Sequence, residues 1–181
     1  MLRSRFEWII WIAVAALMGV AWIVVSKEEV KEPSILTLTE APIVGHLAPD
    51  FTLQTPIGER ITLSELRGQP VVLNFWASWC GPCRVEMPFF ERAQMKYNGK
   101  TAVIGVNQGE SANIVQEFGV RQAISYPLLV DDDNSVNLNY NINSLPTTIF
   151  IDPDGVVQEV IVGIVNQAVL EDRIEGMMRA E

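Results

Sequence analysis

The chain is poor in residues that build metal sites and disulfide scaffolds, with 2 cysteines and 1 histidine in 181 residues. Two cysteines cannot make a disulfide framework. A structural zinc site wants four ligands, more than this set supplies. Positive charge is also scarce. Lys and Arg total 13 against 22 Asp and Glu, a formal net charge of −9, and no basic run follows the first few residues. Phosphate binding needs clustered Lys and Arg, so nucleic acid is not an expected partner. Internal repeats and low-complexity tracts are absent as well. What remains is length for one ordinary domain plus a short appendage. Apolar residues make up 49% of it, enough for a hydrophobic core without a covalent staple.

The first departure from ordinary composition is Trp8 to Val25, an uncharged apolar run. At roughly 1.5 Å per residue it spans about 27 Å, close to the hydrocarbon thickness of a bilayer. Arg3 and Arg5 precede it, and Trp8, Trp11 and Trp22 lie near its ends. Indole rings favour the membrane interface, and the positive-inside rule puts the Arg end in the cytoplasm. Gly19-Val20-Ala21 offers a cleavage site, but the apolar residues Trp22 to Val25 follow it. The expectation is therefore an uncleaved signal anchor over 1–26, spanning the membrane at about 8–25, with a cleaved signal peptide as the alternative. A buried core helix is the bland alternative, but an apolar surface all round the helix suits lipid better. Residues 27–36 are charged, carry Pro33 and read as a linker. The folded domain is expected over 37–181, on the extracytoplasmic side.

Within that domain, short apolar or alternating runs mark strands. Phe51–Gln54 and Ile61–Leu63 flank Pro56-Ile57-Gly58-Glu59, the pattern of a hairpin. Pro70–Trp76, Thr101–Asn107, Tyr126–Val130, Thr147–Asp152 and Val156–Val165 read as further strands. Helices are expected over Pro82–Asn98, Ser111–Phe118 capped by Ser111, Ser135–Tyr140, and Asn166–Arg179 capped by Asn166. The inner face of the last is Val169, Leu170, Ile174, Met177 and Met178. Strands alternating with helices, then a closing hairpin and helix, indicate an α/β sheet covered on both faces.

The chemistry concentrates in Trp79-Cys80-Gly81-Pro82-Cys83. These are the only cysteines, spaced Cys-x-x-Cys after a strand and at a helix start. Unpaired N–H groups and the helix dipole favour an anion there. A thiolate is stabilised at such a position, and the thiolate is the nucleophile. Cys83, one turn in, can resolve a mixed disulfide by attacking Cys80. Pro82 fits a first turn, where its missing N–H costs nothing. A purely structural bridge across so short a loop would stabilise little, which leaves redox exchange as the reading of the pair.

Val71 to Cys83 (VVLNFWASWCGPC) resembles the active-site signature of the thioredoxin superfamily. Pro88 stands where that family's helix is kinked, and Leu145-Pro146-Thr147 resembles its cis-proline loop. Ala48-Pro49-Asp50-Phe51, the hairpin and the anchor narrow the likeness to the TlpA/ResA-type redoxins. The resemblance runs from about Gly45 to the C-terminus. It implies a thioredoxin-like α/β fold with an N-terminal β-hairpin extension, preceded by one transmembrane helix. It further implies reduction of disulfides in exported proteins, cytochrome c maturation among such tasks, with no cofactor beyond the Cys80–Cys83 disulfide. Re-reduction would come from a membrane donor of DsbD/CcdA type. The substrate is expected to meet Trp79, Gly81, Pro82, the backbone at Leu145, and Pro146, by a strand-like pairing. Thioredoxins carry a buried Asp six residues before the first cysteine, where this chain has Asn74. In the TlpA/ResA type a Glu three residues after the second cysteine is implicated instead, and Glu86 stands there. Such a carboxylate can take the Cys83 proton, and burial would raise its pKa towards that task.

Other readings stay open at this point. The same dithiol can oxidise or reduce. Gly81-Pro82 favours reduction by its resemblance to the reducing thioredoxins. A thiol peroxidase also uses an Ala-Pro-Asp-Phe segment, but in those chains the attacking cysteine sits in a Thr-x-x-Cys setting. A non-catalytic adaptor or holdase is the third reading. Trp79 reads equally as substrate platform or as packing, while Trp76, on the strand, reads as core. His46 reads as a surface loop residue. Asp131-Asp132-Asp133-Asn134 lacks the Gly and Glu of a calcium loop and reads as a turn capping the Ser135 helix.

Overall fold

The hydrophobic runs pair into one mixed sheet. In the computed structural model, which describes residues 39–179 and Met18, seven strands lie in the order β2-β1-β5-β4-β3-β6-β7. They are β1 (Thr52–Gln54), β2 (Arg60–Thr62), β3 (Val71–Trp76), β4 (Ala102–Gln108), β5 (Leu128–Asp131), β6 (Thr147–Ile151) and β7 (Val157–Val162). The helices are α1 (Gly81–Tyr97), α2 (Ala112–Arg121), α3 (Ser135–Asn139) and α4 (Gln167–Arg179). A 3-10 turn, Leu63–Leu66, follows β2. Apart from Met18, the membrane span expected over about 8–25 lies outside the described residues, as does the linker over 27–36. Among the described residues no helix is long and apolar enough to cross a membrane.

The sheet is central because β3 and β4 are apolar on both faces. Every residue of β3 is buried, the mark of a strand covered on each side. Val72 and Trp76 enter a core shared with Met87 and Phe90 of α1, Val115 and Phe118 of α2, and Leu170 and Ile174 of α4. Leu73 and Phe75 point the other way, into a core with Phe51, Val136 of α3 and Tyr140. The β3–β4 and β4–β5 pairs are parallel, while β6 and β7 add antiparallel strands beyond β3. The hairpin forms as read, with Gly58 supplying the positive φ of its turn, +88°, and β1 joins the sheet through Gln54 opposite Val130. This is the thioredoxin-like α/β fold with its hairpin extension.

Several element ends move, for identifiable reasons. Strand β5 begins at Leu128 rather than Tyr126, because Pro127 has no N–H to give a ladder. Strand β7 stops at Val162, because Gly163 turns to φ +103° and sends its N–H to the Pro146 carbonyl at 2.8 Å. Helix α2 runs on to Arg121. Ser111 sits at its N-cap, but the side chain makes no capping bond, contrary to the sequence reading. Asn166 does cap α4, accepting from the Val169 N–H at 3.0 Å. Asp131 and Asp133 cap α3, accepting from the N–H groups of Val136, Asn137 and Ser135. His46 lies half-buried in a loop, its carbonyl accepting from the Val157 N–H.

Candidate active site

Strand β3 ends at Trp76, and three residues carry the chain into α1. Cys80 is the N-cap residue of that helix, and its sulfur accepts from the Cys83 N–H at 3.1 Å. The capping role usually filled by a hydroxyl or carboxylate oxygen is thus filled by the sulfur expected to attack. Cys80 and Cys83 are joined as a disulfide and both are buried. Gly81 and Pro82 form the first turn and are partly exposed. Trp79 projects outward with 65% of its surface exposed, whereas Trp76 is wholly in the core. Pro88 lies inside α1.

Across the sheet, Thr147 pairs with Phe75 and Thr148 with Asn74. The Leu145–Pro146 loop therefore stands at the same end of the sheet as the cysteine turn. The Leu145–Pro146 peptide is cis. Leu145 packs against the core that holds Cys80 and Cys83, and Pro146 is buried.

Beneath the disulfide sits Glu86, with none of its surface exposed. One carboxylate oxygen accepts from the Asn74 amide at 2.8 Å and the other from the Val165 N–H at 3.0 Å. Burial pushes its pKa up to about 7, against the lowering effect of those two bonds. Asn74 is equally buried and also donates to the Thr148 hydroxyl at 3.2 Å. Asn74 thus holds the carboxylate in place rather than standing in for it. The Tyr126 hydroxyl is buried without a partner among the described residues. Burial first, and then the charge of Glu86, push its pKa up.

One constellation escaped the sequence reading. Glu110, just beyond β4, accepts from the Ser78 N–H at 2.7 Å and from the Ser78 hydroxyl at 2.5 Å. It also accepts from the Asn107 amide at 2.7 Å. On the other side, Arg84 donates to the Ser78 carbonyl at 3.1 Å. The available signal was an acid at the carboxyl end of the strand beside β3, the edge where parallel sheets gather their functional groups.

With this geometry in place, kinship is decided by residues 44–160, which match the AhpC/TSA family model. The chain belongs to the AhpC/TSA family. It is 40% identical to the thioredoxin-like protein YneN of Bacillus subtilis strain 168 over 134 residues, 72% of this chain and 78% of that one. It is 36% identical to the thiol-disulfide oxidoreductase ResA of the same organism over 129 residues, 71% of this chain and 72% of ResA. The crystal structure of a Chlorobium tepidum protein assigned as a thiol:disulfide interchange protein DsbE matches with TM-score 0.71 and 31% identity, over 75% of this chain and 98% of that one. A Cys-x-x-Cys pair at the head of α1 in such a family member makes this AhpC/TSA chain a thiol–disulfide oxidoreductase.

Proposed function

We propose that this oxidoreductase is a membrane-anchored reductase of disulfides in exported proteins, apocytochrome c among the candidate substrates. The observation that carries the reading is the Cys80–Cys83 pair at the N-terminus of α1, above a buried carboxyl poised near neutral pH.

In the reduced protein, the Cys80 thiolate attacks one sulfur of a substrate disulfide. A mixed disulfide forms, and the other substrate sulfur leaves as a thiolate that takes up a proton. Cys83 then loses its proton to Glu86 and attacks the Cys80 sulfur. The Cys80–Cys83 disulfide forms and the second substrate sulfur is released. The substrate has gained two electrons and the domain has lost them. Exposed Trp79, with Gly81, Pro82 and the Leu145–Pro146 loop, offers the surface on which a substrate strand is held. The apolar run at Trp8–Val25 after Arg3 and Arg5 supports the anchor and the extracytoplasmic placement. On that side thiols tend to oxidise, so reducing equivalents must come through the membrane, from a thiol donor of DsbD/CcdA type. The peroxidase alternative asks for a Thr three residues before the attacking cysteine, where this chain has Ala77.

The test is a trap. In Cys83→Ala the resolving thiol is gone, so Cys80 should accumulate on substrates as mixed disulfides in the membrane fraction, releasable by reductant. The Cys80→Ala, Cys83→Ala double variant should capture nothing. Absence of adducts from the single variant, or full complementation by the double variant, would refute the exchange mechanism.

A further inference from the structure

The turn that delivers Cys80 is pinned from outside its own helix. Ser78 stands two residues before Cys80, and its three hydrogen-bonding groups all have partners in the structure. Its N–H and hydroxyl go to Glu110, and its carbonyl accepts from Arg84. The Cys80 N–H donates to the Ala77 carbonyl at 3.1 Å. Trp79 lies between these anchored residues and faces solvent.

Glu110 is itself held. Its N–H donates to the Asn107 side-chain oxygen at 3.1 Å, while the Asn107 amide donates back to its carboxylate. Asn107 is fully buried on β4, opposite Trp76 of β3. The Asn107 carbonyl accepts from the Asn137 amide at 3.3 Å, and that amide is tied to Asp131 at 2.6 Å. Between them, Gly109 adopts φ +70°, and a Cβ there would come within 2.9 Å of the Asn134 amide nitrogen. The turn from β4 into Glu110 therefore favours glycine at 109. A continuous polar chain runs from Asp131 through Asn137, Asn107 and Glu110 to Ser78. Three hydrogen bonds converge on the Glu110 side chain.

We propose that Glu110 is a positioning residue for the exchange reaction: by clamping Ser78 it keeps the Cys80 sulfur at the N-terminus of α1 while the disulfide opens and closes. The inference rests on the thiol–disulfide exchange reading. It matters most in the reduced state, where no covalent bond to Cys83 holds Cys80 in place. A Cys80 sulfur displaced from the helix start loses the N–H groups that favour its thiolate.

Two substitutions in the full-length chain separate bond geometry from charge. In Glu110→Gln the side-chain oxygen can still accept from the Ser78 N–H and Asn107, and its NH2 can donate to the Ser78 hydroxyl, which accepts as well as donates. Glu110→Ala removes all three bonds. The readouts are the rate of exchange with a disulfide-bonded peptide and the pH dependence of Cys80 alkylation in the reduced protein. Glu110→Gln should keep the wild-type rate within about twofold, and Glu110→Ala should lose about tenfold, the equivalent of about one net hydrogen bond. The alkylation profile should move to higher pH in Glu110→Ala alone. A purely structural role would lower thermal stability without moving that profile. Glu110→Ala with wild-type rate and profile overturns the proposal, as does Glu110→Gln as impaired as Glu110→Ala. Should Glu110→Ala fail to fold, Ser78→Ala decides: it loses one bond of the clamp and should slow exchange by a smaller factor, and an unchanged rate overturns the proposal. A wild-type chain that exchanges no disulfide would count against the function reading, while the alkylation profile would still judge Glu110.

Discussion

Glu86 is hidden from water, yet its two hydrogen bonds do not offset its burial, and its pKa rises from 4.5 to about 7. The unfolded chain gives up this proton near 4.5, so between the two values the native state holds a proton that the unfolded state lacks. Stability must then fall as pH rises through that window. The difference amounts to about 3 kcal/mol at pH above 7. Glu86→Gln has no such titration. Urea unfolding of the oxidised protein should show the variant gaining about 3 kcal/mol on wild type between pH 4 and pH 8. A difference independent of pH would show that Glu86 is not titrating there. Cys80 and Cys83 were legible because their spacing at one helix start is local, and Glu86 was legible through the resemblance to the TlpA/ResA type. Glu110 was not, because its partner Ser78 lies 32 positions away and meets it only once β3 and β4 pair. Asn74 was legible as an absent acid but not as the donor to Glu86, for the same reason.

At the scale of elements, the strands and helices follow from periodicity, and their ends from backbone chemistry that periodicity does not carry. The hairpin, β3, β4, β6 and the four helices stand where the runs of apolar residues place them. The ends at Leu128 and Val162 moved because Pro127 and Gly163 impose local rules on the ladder. The packing of α4 was also legible: Leu170 and Ile174 are fully buried in the core that holds the cysteines, and Val169 and Met178 pack at its edge. Lys96 of α1 adds a half-exposed ion pair to Glu171 at 2.6 Å, a contact worth little beside the apolar contacts. Leu170→Ala should therefore destabilise the domain by about 2–5 kcal/mol in urea unfolding. The variant should leave the alkylation profile of Cys80 unchanged wherever the protein stays folded. A loss below about 1 kcal/mol would mean that α4 is not held by this core.

For the whole molecule, one sheet brings the cysteine turn, the Leu145–Pro146 loop and the Glu110 clamp to a single end, while the bulk of the chain keeps Glu86 dry beneath them. The fold class was legible because alternating strands and helices with a closing hairpin admit few arrangements. The direction of exchange was not, since one dithiol serves either way according to its potential. That quantity tests the reductase reading most directly. The measurement is equilibration of the full-length chain with defined thiol–disulfide redox buffers, scoring the Cys80–Cys83 couple. A reductase should give a potential near the thioredoxin end of the scale, about −270 mV, whereas a value at or above about −120 mV would make the protein an oxidant and contradict the account.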